Sequence, residues 1–194
     1  MSKVLTEQRV RILEGAIKAF NSKGLKFTMD DLASVLGMSK KTIYKLYRDK
    51  EEMFLSMVDY SFDRIKESEE KILNNPKLST LEKLRNVLGV LPEGYLEIDL
   101  RQLYLLRDKY PVIYSRMEER LESGWESTIA LIEQGIKEGV LRPVNIIIFK
   151  TMMEAAIEQF FQRDVLIKNG ISYGEALNEV VKILVDGITA DRER

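Results

Sequence analysis

The sequence of 194 residues contains no cysteine and no histidine. The absence of cysteine excludes disulfide bonds and thiolate metal sites. The absence of histidine removes the commonest metal ligand and the commonest general base, so the residue sets that most enzymes use are missing. We therefore predict no catalytic residues, no metal site and no cofactor.

Long apolar runs are also missing, since no stretch approaches the 18 apolar residues that a membrane-spanning helix needs. The N-terminal stretch MSKVLTEQRVRILEG carries charged side chains where a signal peptide has an apolar segment. We therefore expect a cytoplasmic protein with no membrane contact. Proline is scarce, whereas leucine, isoleucine, glutamate and lysine dominate, and this composition favours helix.

The charge is distributed unevenly although the net charge is only −1. Residues 1–50 hold 11 basic and 5 acidic side chains, a balance of +6, and the remainder holds 19 basic and 26 acidic ones, a balance of −7. A basic lobe on a mildly acidic body suits a local site for a polyanion. Chance clustering of solvated charges in one helical lobe would give the same division.

Apolar residues recur at helical spacing along the chain, and no strand-like alternation is sustained. We predict an all-α protein with a three-helix helix-turn-helix DNA-binding domain at residues 1–50 and a larger helical domain for effector binding and dimerisation at 51–194. Thr6, Thr28 with Asp31, Ser39 and Asp49 are the expected N-caps of the first four helices. The helices are expected to end near 21–24, 37, 47 and 73, and those that follow to span 79–91, 96–109, 111–138, 143–168 and 172–189.

Residues 28–47, TMDDLASVLGMSKKTIYKLY, predict two short helices joined by a glycine turn. Such a crossing needs a small residue where the helices touch, which Ala33 supplies. It also needs a residue that tolerates positive φ in the turn, which Gly37 supplies. Apolar residues are expected to fill the angle between the helices: Leu32, Leu36, Met38, Ile43 and Leu46. Two ordinary helices that meet at a glycine are the alternative.

The second helix of this pair is the candidate recognition helix. If Ile43 and Leu46 face inward, the outward residues are Lys40, Lys41, Thr42, Tyr44 and Lys45. Lysine can bond guanine and the threonine methyl can contact thymine, although a merely solvated face is also compatible with three lysines. Thr28 and Ser39 stand at helix N-termini, which favour phosphate. Tyr44 and Tyr47 are expected to pack their rings and offer their hydroxyls to phosphate.

Residues 9–55 resemble the DNA-binding domain of TetR-family transcriptional regulators. The resemblance rests on the segments ILEGAIKAFNSKG and FTMDDLASVLGMSKKTIYKLYRDKEEMF. It implies that Tyr44 and Tyr47 are the two aromatic residues of the recognition helix, and that Lys50 opens the fourth helix and contacts phosphate. This chain has Tyr47 where the family often has Phe or His, and Lys41 where it commonly has Gly.

The same resemblance implies that the last two long helices pair across a two-fold axis as a four-helix bundle. Six residues would form that dimer interface: Ala156, Phe160, Val180, Ile183, Leu184 and Gly187. Burial of these faces inside one monomer is the alternative. A two-fold dimer would place its recognition helices one DNA turn apart, roughly 34–36 Å, on a near-palindromic double-stranded operator.

The middle helices are rich in large apolar residues, and a mostly apolar cavity with a few polar groups is the usual site for a small molecule. Seven residues are candidates to line a site for a small apolar or amphipathic ligand: Tyr104, Arg107, Tyr114, Met117, Trp125, Met153 and Glu158. Each of them could equally be a residue of the core.

These features predict a homodimeric, sequence-specific transcriptional regulator, a repressor that a small-molecule effector releases from its operator. An effector-independent helical DNA-binding or interaction protein is the first alternative, and a filled core would favour it. An all-helical enzyme that uses carboxylate pairs such as Glu118 and Glu119 is the second. Acidic runs on amphipathic helices are usually solvated, and the chain lacks histidine and cysteine, so we predict that it is not an enzyme.

Overall fold

A computed structural model describes residues 6–91 and 100–190, and the side chains from residue 105 onward in the second range. Within these ranges the chain is helical, with one 3-10 turn at Gly24–Lys26 and no strand beyond an isolated bridge between Leu141 and Thr189. The all-α prediction is confirmed. The helices are α1 (Glu7–Lys23), α2 (Met29–Leu36), α3 (Lys40–Tyr44), α4 (Lys50–Leu73), α5 (Thr80–Leu88), α6 (Leu100–Lys109), α7 (Pro111–Glu122), α8 (Glu126–Lys137), α9 (Ile146–Gln162), α10 (Val165–Lys168) and α11 (Tyr173–Ile188).

The four predicted N-caps begin the first four helices. The Thr6 side chain accepts from the Arg9 amide at the start of α1. Thr28 and Asp31 form a reciprocal capping box at α2. The Ser39 and Asp49 side chains accept amide hydrogen bonds at the starts of α3 and α4. Local sequence therefore sets where each of these helices starts, because a side-chain oxygen satisfies a free amide there.

Two long predicted helices are each divided in two. The predicted helix 111–138 is broken into α7 and α8 at Gly124, whose φ of +77° lies outside the helical range. The predicted helix 143–168 ends at Gln162, because Arg163 adopts an extended conformation (φ −132°, ψ 153°). The third helix is also shorter than predicted, since α3 ends at Tyr44 and the next residues form a turn. Of the predicted helix 96–109, residues 96–99 lie outside the described residues.

Helix α4 connects the N-terminal lobe to the rest of the protein. Its first turns bury Met53, Phe54 and Met57 against the lobe formed by α1–α3. Its remaining length packs against α5 and α7, while α5 contacts α8 and α9 contacts α11. The predicted division at residue 50 falls where α4 begins, although the first turns of α4 pack in the N-terminal lobe. The division into domains stays a prediction.

Candidate nucleic-acid interface and neighbouring cavities

The turn between α2 and α3 has the geometry that the motif requires. Gly37 ends α2 in the left-handed conformation (φ 61°, ψ 32°), and the Met38 amide donates to the Ala33 carbonyl at 3.0 Å. Leu32 and Ile43 are fully buried on either side of the turn. The crossing angle of the two helices is therefore fixed by the backbone conformation and by apolar packing.

Helix α1 approaches the end of α2 at Gly15, which the sequence did not mark. A Cβ atom built on Gly15 would lie 2.5 Å from Leu36 Cδ2, so only glycine fits without movement of the leucine. A small residue is therefore needed on α1 at Gly15, whereas Ala33 is only half-buried beside the core.

Two arginines of α1 hold the ends of the motif. Arg11 donates to the Leu36 carbonyl at 2.9 Å, at the C-terminus of α2. Arg9 donates to the Leu46 carbonyl at 3.1 Å, after α3, and its guanidinium lies 5.2 Å from the centre of the Tyr47 ring. Sequence reasoning missed both contacts, because each partner is 25 or more residues away along the chain.

The outer surface of α3 and its C-cap presents Lys41, Tyr44 and Lys45, all exposed. The Tyr44 side chain is 45% exposed, which is high for a large aromatic residue. Within the described ranges neither Lys41 nor Lys45 forms an ion pair. These three residues therefore offer two free ammonium groups and one hydroxyl-bearing ring on one short helix.

The other predicted contacts of this surface are engaged within the protein. Lys40 pairs with Asp30 at 2.6 Å, and this hydrogen bond raises the pKa of the lysine. Ser39 Oγ accepts from the Thr42 amide at 3.1 Å and lies 2.8 Å from the Thr42 hydroxyl. Thr28 serves the capping box of α2. Ser39 and Thr28 are nevertheless exposed, so their first-turn amides lie at the surface of the lobe.

Tyr47 and Lys50 differ from the prediction. Tyr47 packs its ring as expected, but the residue is fully buried and its hydroxyl has no hydrogen-bond partner among the described residues, so the hydroxyl does not face outward. The Lys50 ammonium donates to the carbonyls of Leu25 (2.7 Å) and Phe27, and it lies 4.4 Å from the centre of the Phe27 ring. Burial lowers the pKa of Lys50. In this conformation neither side chain is presented to a phosphate, because Tyr47 is buried and the half-buried Lys50 bonds two carbonyls.

A cavity of about 150 Å³ lies where the N-terminal lobe meets the larger body. Its walls come from α1, α4, α6, α7, α9 and α11, and include Ile17 and Phe20 of α1 and Phe54 of α4. Of the seven predicted effector residues, Met117 lines this cavity. A site here would directly contact α1 of the N-terminal lobe and the connecting helix α4.

A second cavity, of about 120 Å³, lies between α4, α5, α7, α8, α9 and α11. Trp125 and Met153 line it, together with the charged side chains of Lys66, Glu69 and Arg120. Lys66 donates to Glu69 and to the Gly124 carbonyl, both at 2.7 Å. Burial raises the pKa of Glu69. These polar groups therefore already have partners in the protein.

The other predicted effector residues lie elsewhere. The side chain of Tyr104 is outside the described residues. Arg107 is exposed, and Tyr114 hydrogen-bonds Gln162, which in turn donates to Glu158. Tyr114 and Glu158 therefore share Gln162 of α9 as a partner, and neither residue lines either of the two cavities.

The six predicted dimer residues lie on α9 and α11, which pack against each other. Ile183 is 66% exposed and Gly187 is exposed, whereas Ala156, Phe160, Val180 and Leu184 are half-buried. Three further apolar residues of α9 are exposed, although sequence reasoning did not single them out: Ile147, Ile148 and Met152.

A helix-turn-helix whose second helix presents lysines and a tyrosine from a tightly packed three-helix lobe defines a DNA-binding protein. The sequence model of bacterial regulatory proteins of the tetR family matches residues 12–57, from α1 into α4. The uncharacterized HTH-type transcriptional regulator YvaF of Bacillus subtilis is 30% identical over 183 residues, which cover 94% of this chain and 96% of YvaF. The chain belongs to the TetR family of DNA-binding transcriptional regulators.

Solved structures share the fold over nearly the whole chain. A TetR transcription regulator from Haloarcula marismortui superposes with a TM-score of 0.71 at 18% identity, over 95% of this chain and 100% of that one. A TetR-family regulator from Cytophaga hutchinsonii has a TM-score of 0.70 at 21% identity, over 98% of this chain and 100% of its own. The matching proteins are transcriptional regulators, not enzymes. No helix in the described ranges is long and apolar enough to cross a membrane.

Proposed function

We propose that this protein is a homodimeric repressor that binds a near-palindromic operator and is released from it by a small molecule. The observation that carries the proposal is the surface of α3, where Lys41, Tyr44 and Lys45 are exposed on a helix whose inner side is buried. Lysine ammonium groups can bond guanine or phosphate, and a tyrosine hydroxyl can bond phosphate. Such a repressor acts in the cytoplasm, where the DNA is.

Two exposed helix faces support a dimer. Ile147 and Ile183 are 74% and 66% exposed, and both lie on the paired helices α9 and α11. Large exposed apolar side chains on two paired helices are typical of an interaction site on a soluble protein. A second copy of the chain is the occupant, because a two-fold partner would also supply the second recognition helix that a near-palindrome requires.

The cavity at the lobe junction supports control by a ligand and disfavours the effector-independent alternative. Its walls include α1, a helix of the N-terminal lobe, and α4, the helix that connects the lobe to the body. These helices could adopt two arrangements relative to each other. A ligand that fills the cavity in only one of the two arrangements would shift the equilibrium towards that arrangement. The change that would release the operator is a change in the distance between the α3 helices of the two protomers.

Helix α4 is the mechanical link in this proposal. Lys50 ties its start to the carbonyls of Leu25 and Phe27, so the start of α4 moves with the lobe. Two ion pairs tie its middle to α7: Arg116 with Asp59 at 2.8 Å and Arg120 with Asp63 at 2.7 Å. A movement of α7 against the ligand would therefore tilt α4 and carry the lobe with it.

Operator selection from random DNA tests the DNA-binding part. With the selected operator, Lys45→Ala and Tyr44→Ala should each weaken binding by about 5- to 150-fold, which corresponds to a loss of about 1–3 kcal/mol. Lys137→Ala, at an exposed lysine of α8, is the matched control and should leave binding unchanged. Circular dichroism should show all three variants folded. Operator binding by both α3 variants at parental affinity would contradict the assignment.

Repression and release need a separate test. The selected operator is cloned upstream of a reporter gene in a host that expresses the protein, and a library of small molecules is screened for restored expression. A compound that restores expression should also dissociate the purified dimer from the operator. Activation of the reporter by the protein alone would contradict the repressor role.

A further inference from the structure

The cavity at the lobe junction has a chemical character that limits its ligand. Among the described residues that line it, none is charged, and the polar side chains are those of Asn21, Ser61 and Tyr173. Transfer of an isolated charge into such surroundings is strongly unfavourable. The described walls of this cavity therefore favour an uncharged molecule. The charged side chains of the neighbouring cavity, Lys66, Glu69 and Arg120, already pair within the protein.

One of the three polar side chains, that of Ser61, is already engaged. The Ser61 hydroxyl donates to the Met57 carbonyl at 2.7 Å, within α4. Asn21 also has an interaction within the protein. Tyr173 differs, since it is only 8% exposed and its hydroxyl has no hydrogen-bond partner among the described residues. Burial raises the pKa of this hydroxyl, so it stays protonated and can donate.

Tyr173 is held in place by its neighbours. Its ring stacks on Phe161, with ring centres 5.6 Å apart and planes 25° apart, and it meets Phe160 edge-on at 6.3 Å. It is the first residue of α11, after the Ser172 cap. Tyr173 lines both cavities, which also share Phe62, Ile65, Leu91 and Leu121. A fixed, buried donor therefore borders the space that the two cavities have in common.

We infer that the effector of the proposed repressor is an uncharged, mostly apolar molecule that carries an oxygen acceptor, and that the Tyr173 hydroxyl donates a hydrogen bond to this oxygen. The inference rests on the proposed function, because it specifies the ligand of that same site. Ketones, esters and ethers fit this chemistry, whereas carboxylates and ammonium compounds do not.

Three small probes of similar shape test the inference. A cavity near 150 Å³ lined by apolar side chains is large enough for a benzene ring. Acetophenone supplies a ring with a carbonyl oxygen, isopropylbenzene has the same outline without an acceptor, and benzoate is charged. Affinities are measured by ligand-observed NMR titration of the purified full chain. Protein-observed spectra then locate the bound probe from resonance changes of Tyr173 and Met117.

The matched variants are Tyr173→Phe and Ser61→Ala. Tyr173→Phe keeps the stacked ring and removes only the donor, so acetophenone should bind about 3- to 10-fold more weakly while isopropylbenzene stays within about 2-fold. Ser61→Ala removes a hydroxyl that is already bonded to its own helix, so the affinities of both probes should stay within about 2-fold. Benzoate should bind none of the three proteins at concentrations where acetophenone saturates them.

Benzoate binding as tight as that of acetophenone would overturn the inference, and this comparison needs only the unaltered protein. Failure of every probe to bind, or equal losses for acetophenone and isopropylbenzene in Tyr173→Phe, would also overturn it. Release of the selected operator is scored separately. Probe binding as expected without operator release would refute effector control and leave the ligand chemistry standing. Operator release by an anionic compound, undiminished in Tyr173→Phe, would refute the ligand chemistry and leave the proposed function standing.

Discussion

The N-terminal lobe and the body that follows it use similar apolar residues but pack them differently. In the lobe, Ile12, Leu32 and Ile43 are fully buried, and Gly15 is in such close contact that a methyl group would strike Leu36. In the body, two cavities lie between the helices, and large aliphatic residues of α9 and α11 are exposed. The body also contains close contacts, since a methyl group on Gly135 would strike Leu141. It differs from the lobe in having space between its helices and an apolar face outside.

This difference separates two mechanical requirements. A helix that reads DNA must hold its side chains in one geometry, which dense packing and a fixed turn provide. A sensor must have two arrangements that differ little in free energy, which cavities and incomplete interfaces permit. The two regions should therefore respond differently to substitution.

The largest effect is expected at the exposed face of the body. Ile183→Glu should convert the proposed dimer to monomer, because a carboxylate would be buried against its two-fold copy. Operator affinity should then fall by roughly 10²- to 10⁴-fold, since the second binding event is no longer intramolecular. Sedimentation equilibrium and operator titration measure the two changes.

Val112→Glu is the matched control for this face. Val112 is 57% exposed on α7, outside α9 and α11, so the same charge should leave the dimer and its operator affinity intact. Dissociation in both variants would indicate a general effect of charge, and persistence of the Ile183→Glu dimer would place the interface elsewhere.

A smaller effect distinguishes the two roles of lysine in the lobe. Lys50→Met should lower the free energy of unfolding by about 1–3 kcal/mol, because two carbonyls are left without their donor. It should leave the slope of log K against log salt unchanged for operator binding. Lys45→Met should instead leave the free energy of unfolding nearly unchanged. It should reduce the slope of log K against log salt by about one for each phosphate that the lysine had neutralised. Urea unfolding and operator titrations at several salt concentrations give both quantities.

If Lys50→Met reduced the salt slope as much as Lys45→Met, the phosphate contact implied by the family resemblance would apply to Lys50 after all. The ammonium would then have to leave its carbonyl partners when DNA binds.

Substitution of alanine for two helical glycines should change the free energy of unfolding in opposite directions. Gly15→Ala should lower the free energy of unfolding by about 1 kcal/mol, because overpacking costs about 1–3 kcal/mol and exceeds the helix-propensity gain of about 1 kcal/mol. In a single chain no atom lies within 4 Å of a methyl group added at Gly187. Because alanine favours helix more than glycine does, Gly187→Ala should raise the stability of the monomeric Ile183→Glu variant by up to about 1 kcal/mol. Equal responses would show that the lobe is no more tightly packed than the body at these sites.

The smallest effect is expected on the stability of the protein at acid pH. The Asp31 carboxylate bonds Lys23 and the Thr28 amide, and these hydrogen bonds lower its pKa from 3.8 to about 2. Because the pKa of this carboxyl group is lower in the folded than in the unfolded protein, the ionised group stabilises the fold. This contribution is fully present above about pH 4 and is lost as the pH falls towards about 2. Asp31→Asn should therefore lower Tm at neutral pH, and its difference from the parent should shrink between about pH 4 and 2.

Glu133→Gln serves as the control, because this exposed carboxylate has no hydrogen bond among the described residues. Its Tm should match that of the parent at every pH. A deficit in Asp31→Asn that stayed constant throughout the acid range would mean that the carboxylate charge is not the cause.

The parts of this structure that the sequence predicted are local ones. The caps and the turn at Gly37 depend on residues within five positions of each other, so their pattern is visible in the chain. The break at Arg163 has no such signal, because a helical pattern continues through it. The contacts of Arg9 and Lys50 join residues 23 or more positions apart, and no spacing rule indicates them.

The candidate ligand site was predicted only in part for a related reason. Periodicity shows which residues of α7 are buried, but not which neighbouring helix each one meets. Met117 lines the cavity, whereas Tyr114, three positions earlier, is turned towards Gln162 of α9. Tyr173, which is central to the ligand inference, was not singled out because its cavity forms only where six helices meet.

The arginines of α1 also bear on how quickly the protein finds DNA. Arg9 and Arg11 bond carbonyl oxygens and form no ion pair among the described residues, whereas Lys40 is paired with Asp30. Guanidinium groups held in this way still attract a polyanion over about 8–10 Å at moderate salt. They should therefore raise the rate of association with DNA without touching it, while Lys41, Tyr44 and Lys45 govern the lifetime of the complex.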